Sequence, residues 1–329
     1  MTTSDDHQHS NRAVLAIKSN ATRYTWAGYY FFVLISSLVG DTTILIASLR
    51  YRAFNLQRAL VVIIHHMAFC DLMVTVTTVI PSFVSLIGNG WEFGNFLCNL
   101  TPYITYYFNG ASILLICNMT TSKLLLLKYP LRGETLSVKR ARTFCGACWL
   151  AALIVPVAFL LVAILDGENV DFSYKSYFCE YGFTSSTWIW LKPLLAVIIM
   201  VTPNCLVVAT TIYLLIIAKH VALRGRECLK WQGIMTTILT ATVHSISVLP
   251  IAVYNFVDPF IAEDDESNSF FYTPFFRIAL SFSYLNTISN FYIYSLSVHS
   301  FRDFLRSRLQ RAYRMFTRIG TSASQGKGI

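Results

Sequence analysis

Seven long apolar segments, separated by polar connections, dominate the pattern of hydrophobic and polar residues along the chain. They lie at about residues 27–49, 60–87, 97–127, 143–165, 187–218, 233–257 and 270–296. A helix rises about 1.5 Å per residue, so even the shortest segment exceeds the roughly 30 Å thickness of a bilayer core. Because a helix satisfies its own backbone hydrogen bonds there, the pattern predicts an all-α membrane protein, a seven-transmembrane helix bundle. Its third and fifth spans are over-long.

The overall composition supports the same class. Of the 329 residues, 55% are hydrophobic and only 13% are charged, whereas an ordinary soluble domain has about 25% charged residues. A soluble enzyme and a protein that binds nucleic acid are therefore disfavoured. The eight cysteines are too sparse for a small secreted domain held together by disulfides.

The basic residues are divided unequally between the two sets of connections. The first, third and fifth connections and the C-terminal segment together hold 20 of the 26 Lys and Arg residues. The other set holds most of the acidic residues, including the run at 263–266. Because connections rich in Lys and Arg stay on the cytoplasmic side, we expect a multi-pass plasma-membrane protein with an extracellular N-terminus and a cytoplasmic C-terminus.

These boundaries divide the chain into three parts. They are an extracellular N-terminal tail (1–26), a seven-transmembrane domain (27–298) and a C-terminal segment (299–329). From 299 to 315, apolar residues recur at helical spacing with arginines between them, which is typical of an amphipathic helix lying on a membrane. The basic residues also favour contact with anionic lipids of the inner leaflet.

Two covalent features fit the expected topology. Asn20-Ala21-Thr22 is an N-glycosylation sequon in the outer tail, so we expect a glycan on Asn20. Cys98, at the outer start of the third span, and Cys179, in the outer loop after the fourth, share the oxidising compartment. We expect these two cysteines to form a disulfide.

Several motifs occur in the order known from one receptor family. They are His66-Met67-Ala68-Phe69-Cys70-Asp71-Leu72, Trp91-Glu92-Phe93-Gly94 before Cys98, Trp149, Pro203, Pro250, Asn290-Phe291-Tyr292-Ile293-Tyr294 and Phe301-Arg302. Over roughly residues 25 to 315 the chain resembles the rhodopsin-like (class A) G-protein-coupled receptors. The resemblance implies a receptor, not an enzyme, that responds to an extracellular ligand by opening its cytoplasmic face to a heterotrimeric G protein.

The chain also departs from the family pattern. Ser122-Lys123-Leu124 stands where the family has Asp-Arg-Tyr, Phe291 replaces the proline of the seventh span, and Asp41 replaces an asparagine of the first. The cation of the first motif survives, but its acidic partner is lost. We therefore expect a divergent or orphan branch, in which Ser122, Lys123, Leu124 and Tyr294 take part in activation and transducer coupling.

The resemblance also implies a ligand pocket. By family position it is lined by Thr105, Tyr106, Asn109, Ile251, Asn255, Leu280 and Tyr284, with Lys192 and Arg277 near the rim. Thr105 stands where amine receptors keep an aspartate, and Tyr284 where visual pigments keep the retinal-binding lysine, which argues against both ligand classes. The alternative for each residue is helix packing without ligand contact; Lys192 and Arg277 could instead anchor the helices at the membrane surface.

A polar cluster within the spans matches the sodium-binding positions of the family. Asp71, Ser112, Asn286 and Asn290 all keep oxygen-bearing side chains, and Asp41 is expected to bring a second carboxyl group to the same pocket. Because two adjacent carboxylates repel each other, we expect the pair to share a proton or to hold an allosteric sodium ion, with no other metal or cofactor. The alternative is that Asp41 stays protonated and replaces the family asparagine.

The preferred interpretation is a G-protein-coupled receptor whose ligand the sequence does not identify. Its partners are an extracellular ligand, a heterotrimeric G protein and membrane lipids, with no nucleic acid among them. The loss of Asp-Arg-Tyr leaves open a seven-helix decoy, scaffold or partner subunit that does not signal. A transporter or channel is much less favoured, because the sequence shows no internal repeat.

Overall fold

A bundle of long helices forms the protein, which confirms the predicted all-α seven-span fold. The computed structural model describes residues 20–50, 54, 56–128, 137–166, 170–173, 176–181, 190–222, 228–257 and 266–325. Side chains within these ranges are described except at 20–22, 126–128, 166, 191–192, 221–222, 228–231, 266–273, 312 and 315–325.

The first four spans contain six helices and one π-helical segment. The first span is α1 (Asn20–Ser48). The second consists of α2 (Arg58–Val74), a π-helical segment (Thr75–Val79) and α3 (Ile80–Gly88). The third is α4 (Gly94–Lys128), whose 35 residues agree with the expected over-long span. The fourth consists of α5 (Val138–Ala152) and α6 (Ile154–Asp166).

The remaining spans follow a short hairpin of β1 (Val170–Ser173) and β2 (Phe178–Tyr181). The fifth span consists of α7 (Leu191–Ala196), a second π-helical segment (Val197–Val201) and α8 (Thr202–Ala222). The sixth is α9 (Cys228–Val257) and the seventh is α10 (Glu266–Ser297). A final helix, α11 (His299–Gln325), begins at the residue predicted for the amphipathic helix and continues beyond its predicted end at 315.

Prolines account for two of the irregularities. Pro156 has no N–H to donate to the carbonyl of Ala152, and the fourth span is interrupted between α5 and α6 at this point. In the fifth span, the N–H of Thr202 bonds to the carbonyl of Val197, five residues earlier, just before Pro203. The wider turn accommodates the loss of the proline's own hydrogen bond.

The third span lies at the centre of the bundle. It packs against the second, fourth, fifth and sixth spans, while the seventh packs against both the sixth and the first and closes the bundle. Among the described helices, five are long and apolar enough by composition to cross a membrane; the third and seventh spans are not among them. These two carry many of the polar side chains that face the interior of the bundle.

A disulfide between Cys98 and Cys179 joins the start of the third span to β2, which confirms the predicted pairing. Cys179 lies opposite Phe172 in the antiparallel hairpin. The bond therefore holds the hairpin over one end of the bundle. We call this the disulfide end, and the opposite end, where Lys123 lies, the Lys123 end.

The first helix begins earlier than the sequence predicted. It starts at Asn20, so the last residues of the predicted tail (1–26) are helical. Asn20 is the first residue of this helix; its side chain and residues 1–19 lie outside the described part of the structure. Its glycosylation stays a prediction.

Candidate functional site

A cavity of about 930 Å³ opens at the disulfide end. The second, third, fifth, sixth and seventh spans contribute its walls, and β2 covers part of it through Phe178 and Glu180. We call it the main cavity.

The main cavity collects the residues that the sequence assigned to a ligand pocket. Its lining includes Thr105, Tyr106, Asn109, Ile251, Asn255, Leu280 and Tyr284. Lys192 lies in α7, but its side chain is outside the described residues. Arg277 does not line the cavity; its guanidinium lies 5.5 Å from the ring centroid of Tyr177, next to the hairpin. The structure therefore places Arg277 against the turn of the hairpin that covers part of the cavity.

Several lining residues were not predicted from the sequence, and three of them bear on the site. Phe178 and Glu180 come from the hairpin, whose conformation is set by the disulfide, and His244 comes from the sixth span. His244 is buried, and its Nδ1 lies 3.0 Å from Oδ1 of Asn286. The signal that could have identified His244 is its pairing with Asn286, an asparagine already assigned to the polar cluster. That pairing depends on the contact between the sixth and seventh spans.

The deeper part of the cavity is continuous with the polar cluster. Ser112 and Asn286 were assigned to this cluster, and both also line the main cavity. Below them, Nδ2 of Asn290 donates a 2.8 Å hydrogen bond to Oδ2 of Asp71. Ser112 lies beside the Asp71 carboxyl group, although its hydroxyl has no hydrogen bond of normal geometry.

Asp41 belongs to the same cluster, as expected. Ser37 donates a hydrogen bond to Asp41 Oδ2 and its hydroxyl lies 2.5 Å from that of Thr75. Thr75 in turn donates to the backbone carbonyl of Asp71. The two carboxyl groups are both buried and close enough to interact electrostatically, so a continuous polar path connects the first and second spans.

This cluster fits a small hard cation. Three buried oxygen atoms in it, Oδ1 of Asp41, Oγ of Ser112 and Oδ1 of Asn290, have no hydrogen-bond partner. Hard cations prefer oxygen ligands, and a buried oxygen without a partner is costly. The donor set therefore suits sodium, with Asp71 as the anionic centre and Asp41 as a second carboxyl group.

The residues that the sequence assigned to activation and coupling lie at the Lys123 end. Lys123 is buried, and its Nζ donates a 3.1 Å hydrogen bond to Oε1 of Gln57, which precedes the second span. Ser122 donates to Oδ1 of Asn118 at 3.2 Å, and Leu124 packs on an apolar cluster of the fifth and sixth spans. The lysine thus has a neutral partner that the sequence did not indicate.

The sixth and seventh spans are also joined at this end. Gln232 donates a 2.8 Å hydrogen bond to the carbonyl of Ser297, and the hydroxyl groups of Thr236 and Ser297 lie 3.1 Å apart. Tyr294 is buried with its ring edge-on to Phe54, at 5.8 Å between centroids. Neutral hydrogen bonds therefore join the sixth and seventh spans at the Lys123 end, and aromatic packing joins the seventh span to Phe54.

A comparison with known protein families agrees with this architecture. Residues 40–294 match the family described as the 7 transmembrane receptor (rhodopsin family). The match covers most of the chain, so the protein belongs to this family of membrane receptors.

Proposed function

We propose that the protein is a plasma-membrane receptor that transmits binding of an extracellular small molecule to a heterotrimeric G protein. The observation that carries the proposal is the shared wall between the main cavity and the polar cluster. Ser112 and Asn286 belong to both, so a ligand in the cavity contacts the residues that join the second, third and seventh spans.

The mechanism is a shift between helix arrangements. A ligand changes the equilibrium only by its difference in affinity for the two arrangements. At the cavity floor, the contact between His244 and Asn286 joins the sixth span to the seventh, and at the Lys123 end Gln232 and Ser297 join the same two spans. A ligand that separates His244 from Asn286 therefore also favours separation of Gln232 from Ser297. Separation of the two spans at the Lys123 end opens a docking surface.

The proposed orientation places the disulfide end outside the cell. The charge distribution supports it, because Arg58, Lys139 and Arg142 are exposed at the Lys123 end and basic connections stay cytoplasmic. Antibody labelling of an N-terminal tag on intact cells tests this topology. We expect labelling without permeabilisation and a glycan that is lost in Asn20→Gln. Labelling only after permeabilisation would exclude the orientation.

A second candidate function is a receptor-like decoy, scaffold or partner subunit that binds ligand without activating a G protein. The burial of Lys123 against Gln57 favours it, because the cation that stands in the coupling motif already has an internal partner. The two candidates agree on ligand binding and differ only at the Lys123 end.

A panel of G-protein activation sensors in cells that express the full chain, with and without small-molecule libraries, tests the proposed function. Cells expressing Leu280→Trp, in which a bulky side chain fills part of the main cavity, are the matched comparison. We expect at least one compound to activate one sensor through the wild type and to lose potency at least tenfold with Leu280→Trp. Ligand binding without activation of any sensor would favour the decoy.

A further inference from the structure

A second, smaller cavity adjoins the main cavity between the third, fourth and fifth spans. The two cavities share five lining residues, Tyr106, Asn109, Ile113, Met200 and Asn255. We call the second one the side cavity and the five shared residues the partition. The partition includes a methionine, Met200, whose flexible side chain can adopt other rotamers.

The side cavity is apolar beyond the partition. Its other walls are Gly110, Val155, Phe159, Leu195, Ala196 and Ile199. None of these side chains can form a hydrogen bond, so a polar ligand group would lose its bonds to water without replacement. A hydrocarbon group would gain free energy from the same transfer.

Local features of two helices leave the space open. Gly110 has no side chain, and a methyl group built there would lie 3.8 Å from Cβ of Ala152 and 3.9 Å from Cγ2 of Ile199, at ordinary contact distance. On the opposite wall, Ile199 and Met200 belong to the π-helical segment Val197–Val201. Such segments occur frequently at functional sites, where the extra residue in the turn redirects side chains.

The partition carries two amide groups that are held in place by neighbours. Nδ2 of Asn109 donates to the carbonyl of Thr105 at 2.9 Å, and Nδ2 of Asn255 donates to Sδ of Met200 at 3.6 Å. Each amide keeps a second N–H and a carbonyl oxygen. The partition therefore offers both a donor and an acceptor to a neutral ligand group such as an amide or a hydroxyl.

We infer that the ligand of this receptor is a neutral amphipathic molecule with three parts. An aromatic or ring-shaped body occupies the main cavity, an amide or hydroxyl group contacts Asn109 and Asn255, and a hydrocarbon chain enters the side cavity. The inference rests on the proposed function, since it names the ligand class of the same receptor, but its test requires no G protein.

A series of N-alkylbenzamides, from methyl to decyl, provides the probe. Each compound has an aromatic ring, an amide and a chain of defined length. Purified receptor in lipid nanodiscs is heated at increasing concentrations of each compound, and the rise in melting temperature gives an apparent affinity. We expect a gain of roughly fourfold per methylene until the side cavity is full, and a fall for longer chains. Alkyl benzoates, which lack the N–H, should bind more weakly at each length.

Substitutions that fill the side cavity decide the outcome. Gly110→Leu and Ala196→Phe add bulk from opposite walls and should shift the optimal chain to shorter lengths. Gly146→Leu is the matched control, because Gly146 is an exposed glycine of the fourth span with no atom within 4 Å of an added Cβ; it should keep the wild-type optimum.

Three results would overturn the inference. The first is an affinity optimum at the same chain length in the wild type and all variants. The second is an affinity that rises steadily with chain length, as partition into lipid does. The third is that no compound of the series raises the melting temperature. If the chain-length optimum appears and no G protein is activated, the proposed function fails while the ligand class stands.

Discussion

Lys123 of the third span donates a 3.1 Å hydrogen bond through Nζ to Oε1 of Gln57, which directly precedes the second span. Lys123 is only 6% exposed, and its Nζ would lie 3.0 Å from a methyl group added at Gly233 of the sixth span. A buried cation requires hydrogen bonds that replace its lost hydration. The contact therefore joins the third span to the residue before the second, and the sixth span lies close beside it.

Replacing Gln57 should loosen this end. Gln57→Leu leaves the buried ammonium group without its acceptor, which costs about 1 to 3 kcal/mol, and we expect a lower melting temperature together with higher basal G-protein activation. Gln310→Leu, the same substitution at an exposed position of α11, is the control for both measurements. Basal activation that stays at the wild-type level while the melting temperature falls would restrict the contact to a structural role.

Gly40 and Phe291 form a second close contact, between the first and seventh spans. A methyl group at position 40 would lie 2.8 Å from Cβ of Phe291, so Gly40→Ala should destabilise the protein by about 1 to 3 kcal/mol through overpacking. Gly28→Ala in the same helix meets no atom within 4 Å and should be neutral or stabilising. Thermal unfolding of the two variants in detergent compares them directly, and equal melting temperatures would contradict the packing.

The disulfide should contribute strongly to stability. Cys98 and Cys179 are 81 residues apart, and closing a loop of this length is worth about 4 kcal/mol in the chain-entropy account. We expect Cys98→Ala to lose surface expression and thermal stability. Cys205→Ala, which removes an exposed free cysteine, should keep both. Normal expression and stability of Cys98→Ala would show that the hairpin does not depend on the bond.

Protons and sodium should compete at the polar cluster. Protonation removes negative charge from the Asp41 and Asp71 pair, so we expect the rise in melting temperature caused by sodium to shrink as the pH is lowered. Asp41→Asn leaves one carboxyl group and should weaken the pH dependence while the sodium response persists. Identical pH and sodium profiles for both proteins would show that Asp41 acts only as a substitute for asparagine.

Most features that the sequence predicted follow from apolar runs along the chain or from the resemblance to the receptor family. Apolar runs predicted the seven spans, and family position placed residues such as Thr105 and Tyr284 in the main cavity. The π-helical segments were not predicted, since a single extra residue in a turn hardly changes hydrophobic periodicity. Gln57 and Glu180 were also missed, because their importance arises from contacts with distant segments that only the folded bundle and the disulfide create.

Nucleotide exchange on purified heterotrimeric G proteins, with the purified receptor in nanodiscs, tests the central claim most directly. With a compound that stabilises the receptor through the main cavity, the account predicts faster exchange on at least one heterotrimer, and no acceleration with empty nanodiscs. If such a compound stabilises the receptor and exchange stays at the rate of empty nanodiscs for every heterotrimer, the claim that this receptor couples its cavity to a G protein is contradicted.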